Sequence, residues 1–341
     1  MPGAVGAVSG PSGTVAEWVL GDAALEPRRI ETRIDTLYDL ASLTKPLCTG
    51  LALAILEQQG HCSLEAPLVQ WLPELDNSPY ADASLLRFAT HTAGLPAWRP
   101  LYLCGSDAGA FLAAIATEPV GAPGATVYSD LGYICLGLAI ERITGRTLDV
   151  WFQESVAQVL GLQHIGFATR VDCSAAAPTE RGNVHERSMA GAAGSGHAWR
   201  RSMIRGEVHD ANAHALGGVA GHCGLFGALR DVVTLASELI RPRALKLDGR
   251  ARARLLTEAV PGSGRSVGFV QAAASDAARG VFAAAAPGHV GFAGSSLWLE
   301  PDHERVYVLL TNRVHPVVDG LDFQPVRLGF HRAARALVEK G

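Results

Sequence analysis

The pattern of apolar and polar positions places β-like segments at both ends of the chain. Apolar, β-favouring runs at 4–9 and 14–20 flank the turn signal Gly10-Pro11-Ser12-Gly13 and predict an opening hairpin. The last third predicts four more strands, with a hairpin turn at Pro301-Asp302-His303-Glu304. Those strands lie at 266–270, 289–292, 295–299 and 305–310. Strands at both ends with helices between them predict one sheet assembled from both termini.

The middle of the chain has helical periodicity instead. Helices are predicted at 37–60, 110–117, 131–144 (ended by Gly145), 148–160 and 231–240, with an amphipathic helix at 323–340. Residues 174–224 are rich in Gly, Ala and His, which predicts a long, partly irregular segment. We therefore expect an α+β fold. Residues 1–45 and 225–341 would form an antiparallel sheet lobe with flanking helices, and 46–224 a mostly helical inserted lobe. The two lobes would make one unit with its site in the cleft between them.

Composition narrows the class of protein. The 341 residues are 48% apolar and 18% charged, which suits a large packed core and excludes global disorder. The net charge of −4 gives no basic face for phosphates, so we expect no nucleic-acid partner. No apolar stretch reaches the roughly 18 residues of a membrane span. No signal peptide is visible, which predicts a cytoplasmic location, or a periplasmic one if the start is trimmed. The oligomeric state is left open.

The metal-binding residue types show no ligand spacing. The six cysteines are scattered without a C-x-x-C pair, and we expect mostly reduced, buried thiols. Five histidines in the irregular segment also lack a tight ligand motif, so we expect neither a catalytic metal nor a cofactor. They are His185, His197, His209, His214 and His222. We interpret them as loop histidines, with His209 and His222 bordering the cleft.

Candidate chemistry begins at Ser42-Leu43-Thr44-Lys45, an S-x-x-K motif. On a helix, positions i and i+3 share a face, so the serine hydroxyl and the lysine amine can meet. A serine becomes a nucleophile when a neighbour removes its proton, and burial lowers a lysine pKa toward that task. Pro46 belongs in a first helical turn, which would put Ser42 at the positive end of the helix dipole. The plain alternative is a helix cap with a snorkelling lysine.

Lysine is rare in this chain, and its distribution favours the catalytic interpretation. Only three of the 29 basic residues are lysines, namely Lys45, Lys246 and Lys340. Codon bias toward arginine explains most of the scarcity. Arginine cannot replace a lysine that must give up a proton, because guanidinium does not deprotonate. Lys45 is the only lysine among the first 245 residues, and it lies in an apolar stretch.

Two later segments complete a constellation. Tyr128-Ser129-Asp130 follows the turn Pro123-Gly124 and precedes an apolar helix. Gly288-His289-Val290-Gly291-Phe292 opens a predicted strand, where small residues let a substrate approach the backbone. Taken singly, the first has the ordinary interpretation of a half-buried tyrosine beside an Asp helix cap. The second, alone, is an ordinary strand start.

In this order, the three segments resemble the serine β-lactamase and penicillin-binding protein superfamily. The match is to its class C-like esterase, D-peptidase and carboxypeptidase branch, with the pattern S-x-x-K, Y-x-N and K-T-G or H-x-G. Residues 90–96 resemble the family's HTSGLP loop, and 309–313 its last-strand ending. Residues 206–210 and 217–226 resemble a subgroup typified by penicillin-binding protein 4B. The resemblance spans roughly residues 3–340.

The resemblance implies a role for each matched residue. Ser42 would be the acylated nucleophile and Lys45 its proton acceptor, while Tyr128 would shuttle protons to the leaving group and from water. Whether Lys45 or Tyr128 is the base is left open. The backbone N–H groups of Ser42 and Phe292 would form the oxyanion hole. His289 would be the fourth catalytic residue, and Asp130, Gly291, His209 and His222 would line the substrate site.

Two departures from the family pattern bear on the substrate. Asp130 replaces Asn and cannot donate to a substrate carbonyl when ionised, although it can hold Lys45 as an ammonium. His289 replaces the K-T-G lysine and is largely neutral at pH 7. Both weaken β-lactam hydrolysis and favour an ester, a D-amino-acid amide or a short peptide. The alternatives are a catalytically silent peptidoglycan- or peptide-binding protein on the same fold, and an acyltransferase.

Overall fold

The computed structural model describes residues 1–122, 124–318 and 320–339, and its centre is a seven-stranded antiparallel sheet. Ten strands occur among these residues. They are β1 (Gly3–Gly10), β2 (Gly13–Ala24), β3 (Ile30–Glu31), β4 (Tyr38–Asp39), β5 (Ile165–Phe167), β6 (Leu225–Gly227), β7 (Val270–Gln271), β8 (Pro287–Val290), β9 (Ser296–Glu300) and β10 (Arg305–Thr311). The main sheet has the order β3-β2-β1-β10-β9-β8-β7. The first and last strands pair at its centre, with Val5 opposite Leu310, which confirms a sheet built from both chain ends.

Eleven α-helices occur among the described residues, joined by turns and irregular segments. They are α1 (Leu51–Gln58), α2 (Leu85–Ala89), α3 (Ala108–Ala116), α4 (Asp130–Thr144), α5 (Leu148–Phe152), α6 (Gln158–Leu160), α7 (Val184–Ala190), α8 (Ala211–Ala215), α9 (Leu229–Ile240), α10 (Gly249–Leu256) and α11 (Gln324–Glu339). Lys340, the predicted end of the last helix, lies outside the described residues, as does Pro123 of the predicted turn. No helix in the described ranges is both long and apolar enough to cross a membrane.

Alternation along β1 buries both faces of the sheet. Every residue of the strand is buried. Val5 and Ala7 belong to the large core that includes α9, whereas Val8 packs in a second cluster with Ala334 of α11. Because side chains of a strand alternate between faces, one helix covers each side of the sheet. The removal of the apolar β1 side chains from water stabilises the folded state, because the hydrophobic effect is the dominant favourable contribution to folding.

The predicted lobes share one core and are joined by a second, unpredicted sheet. Its three strands have the order β4-β6-β5, and β5 comes from the predicted helical lobe. Tyr38 and Ile165 both lie opposite Gly227 in this sheet. The large apolar cluster likewise holds residues from both parts, such as Val308 of the sheet and Leu136 of α4. The site described below lies where these parts meet.

The helix predicted at 37–60 is wrong at its start. Residues 38–39 form β4, a 3₁₀ turn covers Ala41–Leu43, and π-type turns at Lys45–Gly50 lead into α1. Ala41 has a φ of 47°, which a continuous right-handed helix does not allow. Its N–H donates instead to Asp39 Oδ1 at 2.8 Å. Ser42 therefore lies on a short turn before the helix, as an exposed nucleophile requires.

Three other predicted boundaries also differ. The strand at 266–270 shrinks to β7, because Gly268 has a φ of 96° and the Ser266 N–H turns back to the Phe269 carbonyl. The strand predicted at 289–292 is β8, which ends at Val290, so Gly291 and Phe292 follow the strand. The helix predicted at 148–160 is split by π-type turns at Gln153–Ala157. Residues 174–224 are irregular around α7 and α8, as predicted.

Candidate active site

Ser42 lies at the junction between the two sheets and the first helix. Thr44 anchors the turn that carries it: its hydroxyl donates to the Ala41 carbonyl at 2.7 Å and accepts the Leu225 N–H at 3.2 Å. The side chain of Ser42 borders two cavities, described below. Within the described residues its backbone N–H has no protein acceptor, nor does that of Phe292. The two amides are thus unoccupied donors, and both residues line the same two cavities.

Lys45 is fully buried beside Ser42 and carries a charge. Its Nζ donates to Ser42 Oγ at 3.0 Å and to the His222 carbonyl at 3.2 Å. Asp130 Oδ1 lies 2.6 Å from the same Nζ. Burial acts to lower the pKa of Lys45 and is the largest single effect, but the attraction of Asp130, together with Tyr128 and Cys223, outweighs it, and the pKa is raised. The structure therefore favours the ammonium over the neutral amine that the sequence argument required.

Tyr128 covers Lys45 from the other side. The Lys45 ammonium lies 4.9 Å from the centre of the Tyr128 ring. Burial raises the pKa of the phenol, and the nearby Lys45 and Ser42 side chains only partly offset this, so the phenol is neutral. The ring of His91 packs on Tyr128 with a 4.6 Å centroid distance. Its Nδ1 accepts the Ser129 N–H at 3.0 Å, which fixes the segment that carries the tyrosine.

The start of α4 positions Asp130. The helix cap is Ser129, whose Oγ accepts the Gly132 N–H at 3.3 Å, so the capping role considered for Asp130 is wrong. The Asp130 N–H donates to the Ala97 carbonyl at 2.9 Å. Because Ser129 caps the helix, the Asp130 carboxylate does not bond the backbone N–H groups of α4 and contacts Lys45 instead. A short acid at the first helical position also suits the positive end of the helix dipole.

A glycine contact brings the His222 carbonyl to Lys45. A Cβ on Gly221 would lie 2.1 Å from the Tyr133 carbonyl oxygen, and one on Gly137 would lie 2.7 Å from the Gly221 nitrogen. Helix α4 and the loop can approach this closely only because positions 137 and 221 are both glycine. Thr49 holds the loop from the other side by donating to the Gly221 carbonyl at 2.6 Å.

His289 at the end of β8 is buried and neutral. Burial lowers its pKa far below the usual range, and the positive charges of Lys45 and Arg265 add to the effect. Its Nδ1 lies 2.9 Å from the Val290 carbonyl, so that nitrogen carries the proton and Nε2 is left as an acceptor. The ring centre lies 5.9 Å from that of Tyr128. His289 therefore does not supply the permanent cation of a K-T-G lysine.

Gly291 is required where β8 passes the Ser42 turn. A Cβ there would lie 2.8 Å from the Leu40 carbonyl oxygen. The Gly291 N–H donates to Ser295 at 2.8 Å, and its carbonyl accepts Arg327 at 2.6 Å. The close packing brings the following residue, Phe292, to the edge of both cavities.

Two cavities open on either side of Ser42. The first, about 430 Å³, we call the arginine cavity; besides Ser42 and Phe292 it is lined by Tyr128, Asp130, Arg265, His289, Gly291, Arg313 and Arg327, among others. The second, about 280 Å³, we call the acidic cavity; its lining includes Asp39, Trp98, Asp130, His185, Glu186, His209 and Asp210. A scissile bond at Ser42 would therefore extend one end into a basic cavity and the other into an acidic one.

The arginines were missed by the sequence analysis, because isolated arginines in irregular or helical segments carry no motif. Arg265 stacks 5.6 Å from the Tyr128 ring centre and forms no ion pair within the described chain. Arg327 is almost fully buried and donates to the carbonyls of Gly291 and Gly294. Burial and the nearby Arg313 lower the pKa of Arg327 to about 10. An anion in this cavity would reduce the repulsion between the positive charges of Arg313 and Arg327.

The two singled-out histidines differ in position. His209 lines the acidic cavity, stacks on Phe292 with ring centres 5.6 Å apart and contacts Glu180 at 3.0 Å. His222 lies behind that cavity with no exposed surface, and its Nε2 contacts Asp210 Oδ1 at 2.9 Å. The structure thus gives His222 a supporting place under Asp210 and Lys45, not the substrate contact that was predicted.

Asp210, His222 and Cys223 bring potential metal-ligand atoms within 4.8 Å of one another. The hydrogen bond between Asp210 and His222 already occupies two of these atoms. Burial raises the pKa of the Cys223 thiol well above its usual value, so this group is a neutral thiol in the structure. The cluster is better described as a hydrogen-bonded pair beside a buried thiol. All six cysteines are free, and four of them are buried.

With this geometry established, the comparisons with known proteins are decisive for the family. A model of the family described as Beta-lactamase matches residues 1–328. The chain belongs to the β-lactamase family. The putative D-alanyl-D-alanine carboxypeptidase of Escherichia coli strain K12 is 28% identical over 336 residues, covering 87% of this chain and 74% of the relative.

Solved structures of this family show the same fold. A penicillin-binding protein homologue from Caulobacter crescentus has a TM-score of 0.73 at 19% identity, covering 98% of this chain and 92% of that one. The hydrolase EstCE1, described as having promiscuous acyltransferase activity, has a TM-score of 0.70 at 20% identity, covering 97% and 93%. The resemblance stated from the motifs and the predicted α+β fold are both confirmed.

Proposed function

We propose that this serine hydrolase is a D-peptidase of the carboxypeptidase type, acting through an acyl-enzyme on Ser42. The observation that carries the proposal is the position of Ser42 Oγ, 3.0 Å from a charged Lys45 and at the mouth of the arginine cavity. A peptide with a free terminal carboxylate matches that cavity in charge. The name of the Escherichia coli relative, a putative D-alanyl-D-alanine carboxypeptidase, supports the same substrate class.

Acylation begins with attack of Ser42 Oγ on the scissile carbonyl carbon. The Ser42 proton passes to Lys45 as Lys45 passes one of its own to Asp130, across the 3.0 Å and 2.6 Å contacts. The Lys45–Asp130 pair is then the proton acceptor, which reconciles a charged lysine with general-base chemistry. The carbonyl oxygen becomes an oxyanion that the Ser42 and Phe292 amides stabilise.

Collapse of the tetrahedral intermediate breaks the bond to the leaving amine. Tyr128 donates its phenolic proton to that amine and recovers one from Lys45, since its raised pKa keeps the phenol protonated and able to donate. In deacylation a water molecule attacks the acyl carbon and its proton returns by the same groups to Ser42 Oγ. The sum is hydrolysis of one amide bond, with Asp130, Lys45 and Tyr128 restored.

The terminal carboxylate is held by arginine in this account. His289 is neutral and offers only an acceptor, so it cannot pair with an anion. Arg265 lines the cavity beside Tyr128, where the leaving group departs. The absence of an amide donor at Asp130 disfavours β-lactams as good substrates.

A substrate panel on the purified protein tests the proposal. It contains a D-Ala-D-Ala peptide, the same peptide capped as a terminal amide, D-aminoacyl p-nitroanilides, p-nitrophenyl esters and nitrocefin. We expect the free-carboxylate peptide to have the highest kcat/KM and nitrocefin the lowest. Ester cleavage without peptide cleavage would replace the D-peptidase by an esterase. Stable acylation of Ser42 without turnover would support the silent binding protein, and acyl transfer to an added alcohol or amine would support an acyltransferase.

A further inference from the structure

The acidic cavity carries acids beyond Asp130 that the peptidase reaction itself does not use. Four carboxylic acids line it, namely Asp39, Asp130, Glu186 and Asp210, and none of its described lining residues is Lys or Arg. Buried acids need compensating hydrogen-bond donors or positive charges.

Three of the four acids are compensated. Asp130 is paired with Lys45 at 2.6 Å. Asp210 contacts His222 at 2.9 Å and accepts the Ala213 N–H at 2.7 Å. Asp39 accepts two backbone N–H groups, at 2.8 and 2.9 Å. These carboxylates are held by the protein and need no ligand.

Glu186 is the exception. Its Oε1 accepts the Ala211 N–H at 2.8 Å, whereas Oε2 is buried without a partner. The residue is only 3% exposed. Burial and the neighbouring Asp210 raise the pKa of this carboxyl well above its usual range. The charge of Arg200 acts in the opposite direction on this pKa, but its guanidinium bonds Glu207 and the carbonyls of Val208 and His209.

The rim of the cavity also suits a cation. The indole of Trp98 and the ring of Phe292 both line it. Aromatic faces attract an ammonium group, most strongly where water is excluded. A positively charged donor would favour the ionised form of Glu186, donate to its Oε2, offset the neighbouring acids and contact these rings, whereas a neutral donor would not favour the carboxylate.

We propose that the acidic cavity binds a primary ammonium group on the acyl portion of the substrate, with Glu186 as its partner. The inference rests on the proposed function for the assignment of the scissile bond to Ser42. It adds a specificity: the preferred substrate carries a carboxylate on the leaving-group side and an amine on the acyl side, each facing a cavity of opposite charge.

Two substrate pairs test the inference. One is Nα-acetyl-L-Lys-D-Ala-D-Ala with its side-chain amine free or acetylated; the other is p-nitrophenyl 6-aminohexanoate with its amine free or acetylated. The readout is the ratio of kcat/KM between the members of a pair. A charge-assisted hydrogen bond predicts a ratio of about tenfold or more in favour of the free amine. We expect Glu186→Gln to bring the ratio close to unity and Glu186→Asp to restore much of it. The matched control is Glu154→Gln, which removes one exposed acid paired with Arg146 and should leave the ratio unchanged.

The outcomes separate the two proposals. Equal rates for free and acetylated amines in the wild type, or a ratio that Glu186→Gln leaves intact, would overturn the amine site while leaving the peptidase standing. Cleavage of the esters with an amine preference, but of neither peptide, would overturn the peptidase and keep the amine site. Labelling of Ser42 by a fluorophosphonate in each variant shows that a lost ratio does not come from an unfolded protein.

Discussion

The Nζ of Lys45 lies 2.6 Å from Oδ1 of Asp130 and 3.0 Å from Oγ of Ser42. The lysine therefore meets the serine as a charged donor, although burial alone would have made it a neutral acceptor. Asp130 is the largest of the groups whose combined attraction outweighs the desolvation of Lys45 and raises its pKa. In the proposed mechanism, this acid, at a position where the family pattern has Asn, therefore takes part in moving the serine proton.

Asp130→Asn removes the final proton acceptor. General acid–base assistance is worth about 10²- to 10⁴-fold, so acylation of Ser42 at pH 7 should slow by that order. The variant also removes the carboxylate that contributes most to raising the pKa of Lys45. Lys45 should therefore lose its proton at a lower pH than in the wild type, and the remaining activity should rise with pH over that lower range. The rate of fluorophosphonate labelling across pH measures both effects. A wild-type rate and profile in the variant would exclude Asp130 from the reaction.

Lys45→Arg keeps a positive charge opposite Asp130 but removes the ability to transfer a proton. Guanidinium does not deprotonate, so kcat should fall by about 10³-fold or more. The control is Lys246→Arg, on an exposed lysine far along the chain, which should leave kcat unchanged. Thermal unfolding of both variants checks folding. Substantial turnover in a folded Lys45→Arg protein would mean that Lys45 acts only as a charge.

Arg265→Gln should weaken selection for a free carboxylate. We expect the ratio of kcat/KM between the D-Ala-D-Ala peptide and its terminal amide to fall about tenfold, in line with a charged hydrogen bond. Arg265→Lys should recover part of that ratio. If Arg265→Gln slowed both peptides equally, the guanidinium would be acting through Tyr128 and not on the substrate.

Gly221→Ala should damage both stability and the position of Lys45. The new Cβ would meet the Tyr133 carbonyl oxygen at 2.1 Å, and overpacking of this kind costs about 1–3 kcal/mol. The loop would move away and take the His222 carbonyl from Lys45. Gly329→Ala is the control, because a Cβ there meets nothing within 4 Å and lies in α11, where Ala favours the helix. Denaturant unfolding should show opposite signs for the two variants.

His331 makes the fold sensitive to acid. Burial, with Arg327 nearby, lowers its pKa to about 3, and its Nε2 lies 2.7 Å from Ser296 Oγ between α11 and the sheet. The unfolded chain binds this proton near pH 6.5, so the stabilisation is present above that pH and is lost progressively between about 6.5 and 3. Each such group gives a slope of about 1.4 kcal/mol per pH unit. His331→Gln should flatten the pH dependence of the unfolding free energy, and His303→Gln, on an exposed turn, should not.

The sequence was informative where local spacing determines contact. Ser42 and Lys45 are three residues apart, and the turn that follows Ala41 brings them together even though the predicted helix was wrong there. Tyr128 and His289 were predicted from the order of the motifs, because nothing in the local sequence indicates that they lie close to Ser42. Glu186 and Arg265 lie in segments where the sequence showed no periodicity, and their roles depend on partners distant in the sequence, such as Asp210 for Glu186 and Tyr128 for Arg265. The charge of Lys45 was open for the same reason, since only the fold places Asp130 against it.

Covalent labelling of Ser42 tests the central claim most directly. The purified protein is treated with a fluorophosphonate probe, and intact mass and peptide mapping locate the adduct, with Ser42→Ala treated in parallel. The account predicts one adduct per chain, on Ser42, and none in the variant. A folded wild type without an adduct, or an adduct on another residue that persists in Ser42→Ala, would contradict it.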